Sequence, residues 1–478
     1  MPAASHHVVI IGGGITGLAA AFALTERASG RVPPITCTLI EADDRLGGKI
    51  LTDRVGGFVI EGGPESFLSQ KPWAMELCRQ LGLSERLIGT NPERRHTFVL
   101  SRGRLRDLPE GLVMGLPTKL APFLKSDLLS WAGKCRIAAE LLLPRARQSV
   151  DESLASFFRR RLGDEAFERM IEPLLGGIYA GDAEQLSIEA TFPRFREMER
   201  EHGSLVRSML STRSAPAAED RRATPFMALQ GGLGEMVERL SARLKTVNIL
   251  TGRRVREFRL QADGLGYQVM LADGSALPAD AVVITAPAYD AASLLASLHG
   301  PLADELRSIP YMSTATVSLG FRKRDVGHAL NGYGFVVPRV EGRSLLASTW
   351  TSSKWSHRAP DDSVLLRVYL GGAHDKSVMD RTDSELAELM RSELRGILGI
   401  DREPLLVKVY RWPRSMPQYH VGHLQRLDRI EGLLQQTPGI YVAGAGYRGV
   451  GIPDCIHDGA RAAERVLTHF DKTANPSV

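Results

Sequence analysis

A chain of 478 residues, 43% hydrophobic and 24% charged, is about three times the usual domain length, so two or more domains with substantial cores are expected. Its 60 Lys and Arg against 55 Asp and Glu leave a formal charge of +5, and no like-charge block is long enough to track a nucleic-acid backbone, which excludes nucleic acid as a partner. Four scattered cysteines, Cys37, Cys78, Cys135 and Cys455, without CxxC or a histidine at ligand spacing, exclude zinc, iron–sulfur and a disulfide framework, so no metal and a reducing cytoplasm are expected.

The first element is a short buried strand at residues 7–11, reached without a basic region, apolar run and cleavage site, so no secretory leader is expected. Nowhere does an apolar run approach the ~18 residues of a membrane helix, which leaves only peripheral contact with a membrane. Gly12-Gly13-Gly14-Ile15-Thr16-Gly17 follows the strand and opens an Ala- and Leu-rich helix from Ile15 to Arg27. This is G-x-G-x-x-G in the context its chemistry needs: tight turn, close backbone approach to a pyrophosphate, and helix N–H groups facing the phosphates. A second strand, Thr36 to Glu41, completes a βαβ unit, and the Glu41 carboxylate can accept from both ribose hydroxyls while repelling a 2′-phosphate. Arg45-Leu46-Gly47-Gly48-Lys49 follows at once.

Gly111 to Arg222 is mainly helical in pattern, with Ser126 to Leu143 rich in Leu, Ala and Lys/Arg, and Ser211 to Thr224 reads as an exposed loop. Thr251 to Phe258 and Ala279 to Pro287 read as strands, and Tyr311 to Tyr410 alternates with period two, predicting a half-exposed antiparallel sheet. A last apolar strand, Gly439 to Ala443, runs into Gly444-Ala445-Gly446-Tyr447-Arg448-Gly449-Val450-Gly451-Ile452-Pro453 and a helix from about Ile456 to Phe470, which Asp454 caps.

The glycine doublet after Glu41 and the C-terminal Gly-rich turn resemble elements of the amine-oxidase and carotenoid-desaturase group of flavoproteins, which implies non-covalently bound FAD. Gly63-Pro64-Glu65-Ser66-Phe67, Gly177-Ile178-Tyr179-Ala180-Gly181-Asp182, Thr191-Phe192-Pro193 and Gly451-Ile452-Pro453-Asp454-Cys455-Ile456 resemble the protoporphyrinogen and coproporphyrinogen oxidase family. Val113-Met114-Gly115-Leu116-Pro117 and Met416-Pro417-Gln418-Tyr419-His420 resemble its soluble Gram-positive members, which act on coproporphyrinogen III.

The resemblance implies an α/β fold: a Rossmann-like FAD-binding domain from residues 1–75, 225–290 and 436–470, a substrate domain built on an antiparallel sheet from 76–110 and 291–435, a helical insert at 111–224 and a tail at 471–478. By resemblance, FAD contacts fall on Gly12, Gly13, Gly14, Ile15, Thr16, Gly17, Glu41, Ala42, Gly48, Lys49, Gly63, Pro64, Glu65, Ser66, Val255, Trp412, Gly451, Ile452 and Pro453. Tyr333, Val336 and Tyr369 match positions that hold the tetrapyrrole. Thr97 stands where membrane-attached members carry a propionate-binding arginine, so Lys71 first, or Arg94, Arg95 or His96, takes that role.

The implied reaction is a six-electron oxidation, in three two-electron steps at the flavin, with dioxygen reoxidising the cofactor to give three H2O2. No catalytic side chain is required, and His420 or His423 is the candidate proton acceptor. The resemblance further implies a place in haem biosynthesis, in the cytoplasm or at the inner membrane face, with transient contact to a pathway enzyme such as a ferrochelatase. The rival readings are protoporphyrinogen IX as substrate, a flavin amine oxidase, a carotenoid desaturase, and a flavin-binding scaffold without turnover.

Overall fold

The computed structural model describes residues 5–113, 115–145, 150–211, 224–262, 264, 266–373 and 375–474. The loop expected at Ser211–Thr224 lies outside these apart from its end residues, as do Met114 and the last four residues of the tail.

Strand β1 (His6–Ile11), helix α1 (Ile15–Ala28) and strand β2 (Ile35–Ile40) form the N-terminal βαβ unit. Three short strands from far along the chain, β3 (Asn248–Leu250), β4 (Ala281–Ile284) and β5 (Ile440–Val442), extend it to a five-stranded sheet in the order β3-β2-β1-β4-β5, parallel throughout. A parallel sheet is covered on both faces, which is why Val8 to Ile11 and Ala281 to Ile284 are continuous apolar runs, every residue buried. Helix α1 and the C-terminal helix α3 (Ile452–Ala474) share one core through Leu18, Ala21, Ala462 and Val466, with helix α2 (Pro72–Gln80) contributing Leu77 and Cys78.

A seven-stranded sheet forms the second body, in the spatial order Leu406–Pro417, Tyr311–Arg322, Ser363–Gly371, Ala347–Thr349, Gly332–Val336, His96–Ser101, Arg104–Asp107. Among themselves the strands from Tyr311 onward pair antiparallel, as expected, while the expectation of a half-exposed sheet is corrected. Gly332–Val336 pairs parallel to His96–Ser101, and both faces of the central strands are covered. Helix Asp383–Leu398 covers one face, packing Leu386, Met390 and Leu394 on Val317, Leu319, Leu366 and Val368. The other face carries Thr316, Arg367, Tyr369 and Tyr410, brought side by side by the strand register, and looks toward the first body.

The helical stretch expected as an insert packs around Phe157, Phe158, Ile171 and Phe195, in a core that also takes in Val99 and Tyr419 from outside it. The stretch from Ser126 to Leu143 is not one helix: Ser130 caps Trp131–Ala139 by accepting from the Gly133 N–H, and a 3₁₀ turn, Glu140–Leu142, follows. Phe167–Gly176 is wound as a π-helix with Pro173 inside it. Proline lacks an N–H and crowds the preceding turn, and the wider winding accommodates both. The insert is tied to the sheet where the Ala373 N–H donates to the Ala180 carbonyl at 2.9 Å and the Ser187 N–H to the Tyr419 carbonyl at 2.8 Å.

Candidate active site

The turn between β1 and α1 is held by its neighbours rather than by side-chain caps. Gly12 N–H donates to the Ile40 carbonyl at 2.8 Å, and Gly47 N–H to the Gly13 carbonyl at 2.8 Å, so the turns holding the two glycine motifs lie against each other. No side chain caps Gly14 at the start of α1, which leaves first-turn N–H groups, at the positive end of the helix, available to an anion. A Cβ at Gly17 would lie 1.9 Å from the Gly12 carbonyl oxygen, so no larger residue fits there. Glu41 Oε2 accepts from the Gly13 N–H at 2.6 Å and Oε1 from the Asp43 N–H at 2.8 Å; each oxygen keeps a further lone pair for a hydroxyl. Ala42 follows in the same turn. Val255 is buried and begins strand Val255–Leu260 just after the Arg253 N–H donates to the Glu41 carbonyl at 2.9 Å. The uncapped helix start and the anchored carboxylate are groups that fit the adenosine diphosphate half of FAD.

The C-terminal Gly-rich turn is braced from two sides. The Gly444 N–H donates to Asp458 Oδ2 at 2.7 Å, while the Tyr419 hydroxyl donates to the Ala445 carbonyl at 2.7 Å and accepts from the Gly449 N–H at 2.8 Å. Beneath Tyr419 lies His423, stacked at 4.1 Å, its Nε2 at 2.8 Å from the Tyr447 carbonyl and therefore the protonated ring nitrogen. Burial pushes the His423 pKa down to about 4. That makes it a neutral strut under the turn. His420 is half-buried and its pKa is also lowered by burial; Nε2 has no hydrogen-bond partner among the described residues. Helix α3 begins at Ile452, four residues earlier than expected, so Asp454 lies inside its first turn and is not its cap. There it favours the helix dipole and takes a two-pronged ion pair from Lys71, at 2.6 and 2.7 Å. Trp73 stacks on His457 at 4.0 Å, a second tie between α2 and α3. Gly451, Ile452 and Pro453 form the entry to α3 between these contacts.

The Gly62–Ser66 segment joins the two bodies. Trp412 Nε1 donates to the Gly62 carbonyl at 2.8 Å, Arg367 donates to the same oxygen at 3.1 Å and to the Gly63 carbonyl, and a Cβ at Gly63 would lie 1.7 Å from the Lys49 carbonyl oxygen. Glu65 is buried and paired with Lys354. Burial alone would raise its pKa, but Lys354 and then Arg367 outweigh it and hold the carboxyl below its ordinary range. Lys49 donates to the Ser415 carbonyl, and burial lowers its pKa.

Of the residues expected to hold a tetrapyrrole, Val336 and Tyr369 share one sheet face, each registered against Ala347. Tyr333 sits in the bulge between Gly332 and Gly334, and its hydroxyl donates to the Asn91 carbonyl at 3.0 Å. Positions 333 and 336 fall on opposite faces of a regular strand, so the bulge decides where Tyr333 stands. Arg95 is exposed where the His96–Ser101 strand begins; Arg94 donates to Ser353 Oγ at 3.1 Å, and His96 pairs with Asp107. The sequence reading missed Arg367, Lys354 and Tyr419. Arg367 had one visible signal, a charge inside the apolar run Val364 to Leu370, since a buried charge needs a partner.

A sequence profile of the family described as flavin containing amine oxidoreductase matches residues 15–467. Among curated proteins, coproporphyrinogen III oxidase of Bacillus subtilis (strain 168) is 42% identical over 97% of this chain and 98% of its own length. That of Staphylococcus aureus (strain NCTC 8325 / PS 47) is 36% identical over 97% and 99%. A crystal structure of an Exiguobacterium sp. 255-15 protein assigned as a protoporphyrinogen oxidase superimposes with a TM-score of 0.87 at 36% identity, covering 98% of this chain and 100% of that one. With a profile match across nearly the whole chain and relatives aligned end to end, the protein belongs to the flavin containing amine oxidoreductase family.

Proposed function

We propose that this chain oxidises coproporphyrinogen III to coproporphyrin III, using FAD as its cofactor and dioxygen as the electron acceptor, in haem biosynthesis. The observation that carries this reading is 42% identity, spread over almost the full length of both chains, to a coproporphyrinogen III oxidase. Bound FAD supplies two-electron redox chemistry, needed three times for one macrocycle.

The chain's own residues bind, orient and exclude water. The uncapped start of α1 would receive the FAD pyrophosphate, Glu41 the adenosine ribose, and Gly48–Lys49, Gly63–Ser66, Trp412 and Gly451–Pro453 the flavin end; Val255 would border the adenine. Val336 and Tyr369 would press on one face of the porphyrinogen, with Tyr333 at its edge. Lys71 and Arg95 are the cations for its propionates. Lys71 already holds Asp454, and a propionate would share that ammonium, which has three donor hydrogens. His423 has an unpartnered Nδ1, but burial holds its pKa at about 4 and so makes it a weak base; His420, whose Nε2 is also free of any described partner, takes the role of proton acceptor in the proposal.

Among the described residues no helix is long and apolar enough to cross a membrane. The test is anaerobic bleaching of the flavin absorbance followed by porphyrin fluorescence in air, with coproporphyrinogen III and protoporphyrinogen IX side by side. Faster bleaching and turnover with coproporphyrinogen III is expected. Preference for protoporphyrinogen IX would move the substrate assignment, and a yellow protein that reacts with neither would end it.

A further inference from the structure

A buried charge cluster lies under the Gly62–Ser66 segment, on the sheet face that carries Tyr369. Arg367 is 3% exposed and Glu65 7% exposed, and Lys354 pairs with Glu65. The nearby Glu61 faces Arg358 at 3.8 Å, so the two remaining cations, Lys354 and Arg367, stand against the single carboxylate of Glu65. Among the described residues, Nε and Nη1 of Arg367 are buried without a hydrogen-bond partner. Such an arrangement is costly to fold, because charges removed from water are stabilising only when fully paired.

The direction of the Arg367 contacts shows what the cluster acts on. Its Nη2 takes the carbonyls of both Gly62 and Gly63; the Gly62 oxygen also accepts from Trp412 Nε1 and from Thr316 Oγ1 at 3.4 Å. In a trans peptide the N–H points opposite to the C=O. With the Gly62 carbonyl drawn to the sheet, the Gly63 N–H faces away from it, and no acceptor for it is found among the described residues. Pro64, next in the chain, has no N–H of its own.

We propose that Arg367 is a positioning residue that sets the reduction potential of the bound flavin, by fixing the Gly63 N–H as an outward donor and by lending the segment an uncompensated positive charge. This rests on the reading that Gly63–Ser66 border the flavin. A fixed positive charge and an aimed donor both favour the electron-rich, reduced state over the oxidised one.

The signs make the proposal testable in the FAD-loaded protein. Arg367→Met removes the charge and the anchor, and Glu65→Gln removes the opposing negative charge. Potentials measured by dye equilibration, with sulfite affinity as a second readout, should shift in opposite directions. Arg367→Met should disfavour reduction about tenfold, which is about 30 mV for a two-electron couple, and weaken sulfite binding similarly. Glu65→Gln should favour reduction, and Arg367→Lys should stay within about threefold of the parent. A purely structural role would give no such opposition of sign. Should Arg367→Met fail to fold, Glu65→Gln decides: a potential unmoved or lowered in that variant overturns the proposal. If both variants load FAD and keep the parent's potential, only the Arg367 assignment falls. A parent protein that binds no FAD overturns the underlying reading as well.

Discussion

Gly17 shows how much of this site is enforced one residue at a time. A methyl group there would lie 1.9 Å from a backbone oxygen, that of Gly12, and no side chain can swing away to make room. Overpacking of this kind costs about 1–3 kcal/mol and here would spread the turn that receives the pyrophosphate. Gly17→Ala should therefore leave a folded protein with FAD affinity reduced at least tenfold, about 1.4 kcal/mol, as read by FAD titration of the apoprotein. His423 gives a different test, in pH. The unfolded imidazole takes up its proton near pH 6.5, but the folded one, buried under the turn, only near 4. Between those values the unfolded state binds more protons, so stability rises with pH across the window and is lost as pH falls toward 4, by about 3 kcal/mol in all. His423→Phe keeps the stack on Tyr419 while removing the titration. Its melting temperature should fall less between pH 7 and pH 4.5 than the parent's, and equal acid sensitivity of the two would reject the buried-neutral assignment.

At the scale of elements, α2 and α3 are joined near their N-terminal ends by Lys71–Asp454 and Trp73–His457, two contacts between segments more than 380 residues apart in sequence. Side-chain exposure is 42% for Lys71, so the ion pair is worth about 1 kcal/mol or less after solvent screening. If Lys71 also serves a propionate, Lys71→Met should barely change the melting temperature yet raise KM about tenfold, the loss of about one charge-assisted hydrogen bond, with kcat nearly kept. A fall in kcat at unchanged KM would remove Lys71 from the substrate site. None of this pairing was visible in the sequence, where Lys71 stands after a motif and Asp454 precedes an apolar helix. The βαβ unit was legible because strand, glycines, helix and Glu41 are contiguous, and their periodicities are local. The π-winding of Phe167–Gly176 and the bulge at Tyr333 were not, because each answers to packing: Pro173 leaves several windings open, and an extra residue in a strand is set by its neighbours' register.

Over the whole molecule, the candidate cofactor site is assembled from pieces that are each incomplete. Residues 12–17 supply a helix start, 47–49 a turn packed against it, 62–66 a segment held by Arg367 and Trp412 from the second body, and 444–453 a turn braced by Tyr419 and His423. The fold class could be read from sequence because three Gly-rich elements sit at strand ends; their meeting could not, since Gly62 and Trp412 are 350 positions apart. A ligand that touches all four segments must stabilise them together. At a hundredfold excess over Kd it adds about 2.7 kcal/mol to the stability of everything it spans. Hydrogen exchange on apoprotein and FAD-loaded protein should accordingly show slowed exchange in residues 12–17, 47–50, 62–66 and 444–452 at once, with the far strands of the seven-stranded sheet little changed. Protection confined to the N-terminal βαβ unit would mean that only a mononucleotide is gripped. The flavin end of the proposed site would then have to be sought away from the C-terminal turn.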